Sequence, residues 1–189
     1  MVGNLPNYTK FDIVRCLHSL DRKVSRQDLS KRLELGEGTV RTILDILKSK
    51  GLIISNNQGH ALTQKGLSLL KRFKDLLEIK EVRLKLYPKF RSIAVSTKSN
   101  KKISYEQRDL AVKAGAEGAI ITQIKNKKLI APDKSVLADF KMLEKEFAMQ
   151  DGNILIITFS NSLRNSENAA LTIASNMNKD LATLIKENF

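Results

Sequence analysis

The side chains with the most to offer a partner lie within a dozen residues of one another. Thr39, Arg41, Thr42, Lys48 and Lys50 fall on the hydrophilic side of a stretch whose Val40, Ile43, Leu44 and Leu47 recur at helical spacing. Arginine carries a planar fork of donors that can grip a guanine edge through two bonds, threonine hydroxyls donate or accept, and lysine is a point charge suited to phosphate. Arg26, beside a predicted helix N-terminus, adds a cation where backbone N–H groups also attract anions. Asn57 and His60, on a predicted hairpin, are two further polar groups able to touch a groove or a sugar-phosphate backbone. The chemistry this set implies is contact with a polyanion rather than bond-making.

Bond-making chemistry has few candidates. The chain has one cysteine, Cys16, and two histidines, His18 and His60. A zinc site needs about four ligands, and no second pair follows Cys16 and His18, so both are expected at the edge of a helical core and no metal site is predicted. One cysteine also excludes an internal disulfide. Glu106, Arg108 and Asp109 share one short helix with no base–neighbour pairing of the kind general acid–base catalysis uses. The small residues Ala114–Ala119 follow a helix and precede a strand, the reverse of a phosphate-binding loop. The expectation is a protein that is not an enzyme and needs no cofactor.

Composition agrees. The 189 residues include 33 Lys and Arg against 20 Asp and Glu, a formal charge of +13. Such a field favours nucleic acid first and anionic membrane second. Residues 1–80 hold 15 basic and 8 acidic residues, and the remainder 18 and 12. The opening residues lack the apolar segment of a secretory signal, and the run ILIITF at 154–159 is too short to cross a bilayer. A cytoplasmic protein with no membrane partner is expected.

The elements that must position the polar set can be read from periodicity and punctuation. Ile13, Val14, Leu17 and Leu20 mark a first helix, and Ser25 with Asp28 resembles a capping box for a second, which runs to Leu33. Gly36 is expected to take the left-handed conformation that ends that helix. A third helix begins near residues 37–39 and stops at Gly51. Leu52–Ile54 and His60–Leu62 flank an NNQG turn signal, and Thr63 caps a helix predicted to run to Lys80 with Leu67, Leu70, Phe73, Leu77 and Lys80 on one face. Two short helices joined by a tight turn, then a hairpin, make a helix-turn-helix with a wing.

The run L-x-x-G-x-G-T-V-R-x-x-L-x-x-L-x-x-x-G-L-I, a short wing, then L-T-x-K-G resembles the winged-helix domains of bacterial and archaeal transcription regulators across residues 8–80. The resemblance implies recognition of double-stranded DNA. Arg26, Thr39, Arg41, Thr42, Lys48, Lys50, Asn57 and His60 are the positions expected to carry it. Motifs of this kind usually read two half-sites, so a homodimer is expected. The alternative is a winged helix used for protein contact or for nucleic-acid association without operator specificity.

Residues 81–189 change character. A β-rich stretch at 82–97 broken by Pro88, a helix capped by Ser104 and Gln107 and ended by Gly115, a strand over AEGAIITQI, a hairpin at Asn126–Lys127, a helix opened by Ser135, the buried strand 154–159 and one long helix through Ala170, Ile173, Met177, Leu181 and Leu184 follow in order. The predicted fold is α+β: an N-terminal winged helix-turn-helix over 1–80, then a small α/β sandwich over 81–189 for sensing or assembly. The segments E-Q-R-D at 106–109 and A-G-A-x-G-A at 114–119 are similar to archaeal proteins that pair a winged helix with a domain of unknown function. For a small anionic effector, Ser160, Ser162, Arg164 and Ser166 are the expected binding set, because they follow a strand and open a helix.

Overall fold

The computed structural model describes residues 7–56, 59–130 and 137–189. They form two compact units that divide after residue 73, with residues 187–189 belonging to the first.

The first unit is the winged helix-turn-helix. Helix α1 spans Lys10–Ser19, α2 spans Arg26–Leu33 and α3 spans Glu37–Ser49. Strands β1 (Ile53–Asn56) and β2 (Gly59–Leu62) pair antiparallel as the wing. Helix α1 opens with a reciprocal capping box: Asp12 N–H donates to Thr9 Oγ1, and Asp12 Oδ2 accepts from Thr9 N–H at 2.9 Å. The helix is buried well beyond the predicted face, taking Asp12, Arg15 and Cys16 inside with Val14 and Leu17. Arg15 Nη1 donates to Asp12 Oδ1 and to the Leu33 carbonyl, both at 3.0 Å, so α1 holds the end of α2.

The predicted Ser25 cap is present, accepting from Asp28 N–H at 3.1 Å. The turn between α2 and α3 differs from the expected one. Glu34 takes the left-handed position at φ 53°, while Gly36 is extended and N-caps α3. Leu35 N–H donates to Ser30 O at 3.1 Å and Glu34 N–H to Lys31 O at 3.4 Å, the bond pair of a Schellman ending. Leu35 is buried, so a side chain in the core sets the register of this turn. Helix α3 ends at Gly51 as expected: Gly51 (φ 68°) donates to Lys48 O and Leu52 to Leu47 O. The wing has a further partner not foreseen, since Val24 and His60 exchange both backbone bonds at 2.9 and 3.1 Å. Gly59 makes that approach possible; a Cβ there would lie 2.6 Å from the Val24 carbonyl oxygen.

Helix α4 covers Gln64–Leu76, not 63–80. Thr63 Oγ1 caps it by accepting from Gly66 N–H, and Gly66 lies so close to the Leu52 carbonyl that a Cβ would overlap it. Its buried face is Leu69, Leu70 and Phe73; Leu67 is 47 % exposed. Leu77–Val82 is strand β3 of the second unit rather than helix. Pairing with residues 92–97 supplies its backbone partners, and Thr97 Oγ1 donates to the Leu76 carbonyl where the helix stops.

The second unit is a five-stranded antiparallel sheet in the order β3-β4-β7-β5-β6, with β4 Arg91–Lys98, β5 Gly118–Lys125, β6 Lys128–Leu129 and β7 Asn153–Ser160. β4 and β7 are buried nearly throughout. Helix α6 (Leu137–Glu146) contributes Phe140 and Leu143 to a core with Ala94, Leu155 and Ile157. Alternate strand residues turn to the other side, where α7 (Leu163–Met177) packs across β4 and β7 and α5 (Glu106–Lys113) packs on α7 and β5. Asn126 and Lys127 both have positive φ, giving the predicted two-residue hairpin. The expected opening of α6 at Ser135 lies outside the described residues. The single long C-terminal helix is two: α7, then α8 (Lys179–Asn188). Buried Asn178 is extended, donates to Thr97 Oγ1 at 3.0 Å and accepts from Asp180 and Leu181 N–H, ending one helix and capping the next.

Replacing Arg15 with Leu leaves the buried Asp12 carboxylate without its cation and the Leu33 carbonyl without this donor. We expect a loss of about 3–5 kcal/mol, read as a lower urea midpoint, with no comparable change for Arg22→Leu on the exposed surface.

Candidate nucleic-acid interface

Helix α3 divides cleanly. Val40, Ile43, Leu44 and Leu47 are buried, whereas Arg41, Thr42, Asp45, Lys48 and Ser49 are exposed. The apolar seam is held by the core, so the polar face is turned to solvent. The N-terminal end is also open. Gly36 provides no side-chain cap, and added Cβ atoms on Gly36 or Gly38 would meet nothing within 4 Å. Backbone N–H groups in that first turn are therefore accessible donors at the positive end of the helix dipole.

Beside this face lies a cleft of about 580 Å³, bounded by α3, the start of α2 and the wing. Arg26, Arg41, Lys48 and His60 line it, together with the carboxylates of Glu37 and Asp45. Arg26 is not free for phosphate in the way the sequence suggests: its Nη2 lies 3.3 Å from Glu37 Oε2, and both side chains are about half exposed. His60 faces the cleft, its Nδ1 2.8 Å from Ser55 Oγ across the hairpin. Partial burial first, then the neighbouring Arg26 and Lys48 charges, hold the imidazole below its ordinary value of 6.5, with Asp45 opposing them.

The other predicted positions separate. Thr39 is half-buried. Thr42 is exposed, its hydroxyl donating to Gly38 O at 3.2 Å. Lys50 is exposed at the far end of α3, where its carbonyl accepts from Lys65 Nζ at 2.8 Å. Asn57 lies outside the described residues. Asp45, Glu37 and Ser55 were not anticipated as cleft members. Asp45 carries a legible signal, lying four residues after Arg41 and three before Lys48 on a helix.

The expected effector set is engaged within the fold. Ser160 is buried, and its Oγ accepts from Ser162 N–H at 3.2 Å. Ser162 caps α7 by accepting from Asn165 N–H. Buried Ser166 donates to Arg91 O at 2.8 Å, and its carbonyl accepts from Thr158 Oγ1 at 2.7 Å. Arg164 is half-buried. The sheet is antiparallel at every described pairing, so the anion-binding carboxyl edge of a parallel α/β layer does not exist here.

Cys16 is buried in α1, and burial pushes its thiol up to about 12 against the lowering effect of Arg15. It is a core residue, not a thiolate. His18 sits edge-on to Phe73. Among the described residues no group of three or more His, Cys, Asp or Glu could hold a metal, and no helix is long and apolar enough to cross a membrane.

Residues 10–68 match the family described as PH0730-like, N-terminal domain, and residues 89–177 match a domain of unknown function, DUF4443. Among solved structures the chain is similar to the hypothetical protein PH0730 from Pyrococcus horikoshii OT3, with 28 % identity and a TM-score of 0.83 over 97 % of this chain and 100 % of that one. None of the curated proteins matches.

The lowered His60 value fixes a sign. Between that value and 6.5 the unfolded chain binds the proton that the folded chain refuses, so stability falls as pH drops through this window. Titrating the His60 ring signals by NMR should give a midpoint below 6.5, and His60→Gln should flatten the stability profile there.

Proposed function

We propose that the first unit binds double-stranded DNA and that the protein is a transcriptional regulator. The observation that carries this reading is the free polar face of α3, with Arg41 near its open N-terminal end and a wing beside it. The major groove of B-DNA, about 12 Å wide, admits one α-helix, and the N-terminal residues of such a helix meet base edges. In this reading Arg41 and Thr42 contact bases. Lys48 and Lys50 reach phosphate, and His60 and Arg26 meet the backbone once Glu37 releases its partner. Two copies reading half-sites one helical turn apart, about 34–36 Å, would make the active form a homodimer. The second unit is a sensing or assembly domain, no catalysis is assigned to the chain, and its place of action is the cytoplasm.

A second reading has one observation in its favour. Glu37 and Asp45 share the cleft with four basic groups, and a mixed-charge face also suits a protein partner. The two readings part in a shift assay with the protein's own upstream DNA against scrambled competitor. Preference for the former supports the regulator; equal or absent binding supports the interaction module.

Arg41→Ala should cost about 1–3 kcal/mol of discrimination at one base pair, seen as relaxed preference in a binding-site selection. Affinity should fall with salt at a log–log slope of about −0.9 per phosphate contacted, and a flat response would sink the reading.

Gly38→Ala separates folding from recognition. The added methyl meets open space, so the helix should gain about 0.5–1 kcal/mol. It should nevertheless weaken DNA binding, because the same space is where the duplex approaches.

A further inference from the structure

The second unit holds a groove of about 590 Å³ between α6 and the chain linking β3 to β4. Its lining has two chemically distinct parts. Leu84, Phe90 and Met142 provide an apolar floor, with Phe90 and Met142 half-buried against the core. Arg83, Lys85 and Lys89 stand on the rim, all exposed. The one carboxylate in the lining, Glu81, is occupied by Arg91 through bonds of 3.0 and 2.7 Å. Arg83, Lys85 and Lys89 have no ion-pair partner among the described residues. The rim is also anchored: Asp139 accepts from Lys85 and Leu86 N–H at 2.7 and 3.0 Å, which fixes the backbone that carries the cations.

We propose that this groove binds a small amphipathic anion, an apolar body ending in a carboxylate, sulfonate or phosphate. The apolar floor has no purpose for a purely ionic partner, and the unpaired rim charges have none for a neutral one. The volume lies in the range of small-ligand pockets, about 300–1,000 Å³. A nucleic-acid strand fits less well. Tyr87 stacks on Phe159 with centroids 4.1 Å apart and does not line the groove, which leaves Phe90, tilted against Phe159 at 5.7 Å, as its single aromatic ring and no platform for successive bases. The inference does not rest on the DNA reading, and either can fail alone.

The test titrates the full chain with 1-anilinonaphthalene-8-sulfonate and, in parallel, with N-phenyl-1-naphthylamine, the same ring system without the sulfonate. Dodecanoate and dodecanol serve as competitors. Saturable binding of the sulfonate dye, displaced by dodecanoate and not by dodecanol, is expected. Lys85→Glu/Lys89→Glu, two exposed changes checked by thermal melting, should weaken it roughly tenfold or more. Arg41→Ala should leave it unchanged. No saturable binding, equal binding of the neutral dye, or an unaffected double variant would overturn the proposal. Capture of an acidic leucine-rich peptide by the wild type but not the double variant, with both small anions failing, would also overturn it and assign the groove to a protein partner.

Discussion

A guanidinium in the interior organises the first unit. Arg15 is 1 % exposed, and a charge so placed is tolerated only where donors and acceptors meet it with good geometry. Asp12 supplies one partner and the Leu33 carbonyl another, while Asp12 itself completes the capping box with Thr9. One side chain thus joins the start of α1, its middle and the end of α2. The Leu33 bond matters most, because it fixes where α2 stops. From that point Glu34 turns left-handed, Leu35 enters the core and Gly36 starts α3. An apolar pair could fill the same volume with equal stability, but it would not specify that carbonyl, and the direction in which α3 presents Arg41 follows from it.

Much of this architecture was legible because the signals were local. The spacing of Val40, Ile43, Leu44 and Leu47, the stop at Gly51, the Ser25 and Thr63 caps and the Asn126–Lys127 hairpin each depend on side chains a few residues apart. The failures share a different cause. LEIKEV at 77–82 continues a plausible helical stripe, yet its alternation also fits a strand, and pairing with residues 92–97, far along the chain, decides the matter. Asn178 looks like one polar residue in a long helix until Thr97, eighty-one positions earlier, takes its amide. The left-handed residue proved to be Glu34 rather than the nearby glycine because burial of Leu35 sets the register. Long-range partners override local preference at each of these points.

The polar face of α3 was legible in the same uneven way. Exposure of Arg41, Thr42 and Lys48 follows directly from amphipathicity, since a buried seam fixes the opposite face. The partners did not follow. Arg26 meets Glu37 across the helix-turn-helix corner, and no spacing rule places residues eleven apart in contact when a turn lies between them. His60 is drawn toward the cleft by its backbone exchange with Val24, a pairing that becomes readable only when Gly59 is seen as the residue that permits it. The serines after β7 were read by analogy with the end of a parallel strand; the antiparallel pairing of β7 and the hydrogen bonds of Ser160, Ser162 and Ser166 within the fold were not readable from their spacing.

The charge surplus gains meaning from how it is distributed. A basic protein whose cations only solvate its surface intersperses both signs, and its long side chains pair where they can. That behaviour is present here: Arg26 with Glu37, Lys80 with Glu78, Arg91 with Glu81. Against it stand two places where cations gather beyond the local carboxylates, the α3 cleft and the rim over residues 83–89. They differ in what lies beneath. At α3 the floor is a polar helix face with open backbone donors, suited to the hydrogen-bonding edge of a large polyanion. In the second unit the floor is Leu84, Phe90 and Met142, which nothing in a phosphate backbone would cover. The same excess of positive charge therefore lies on chemically different surfaces in the two units, because apolar area and hydrogen-bonding capacity, not charge, distinguish them.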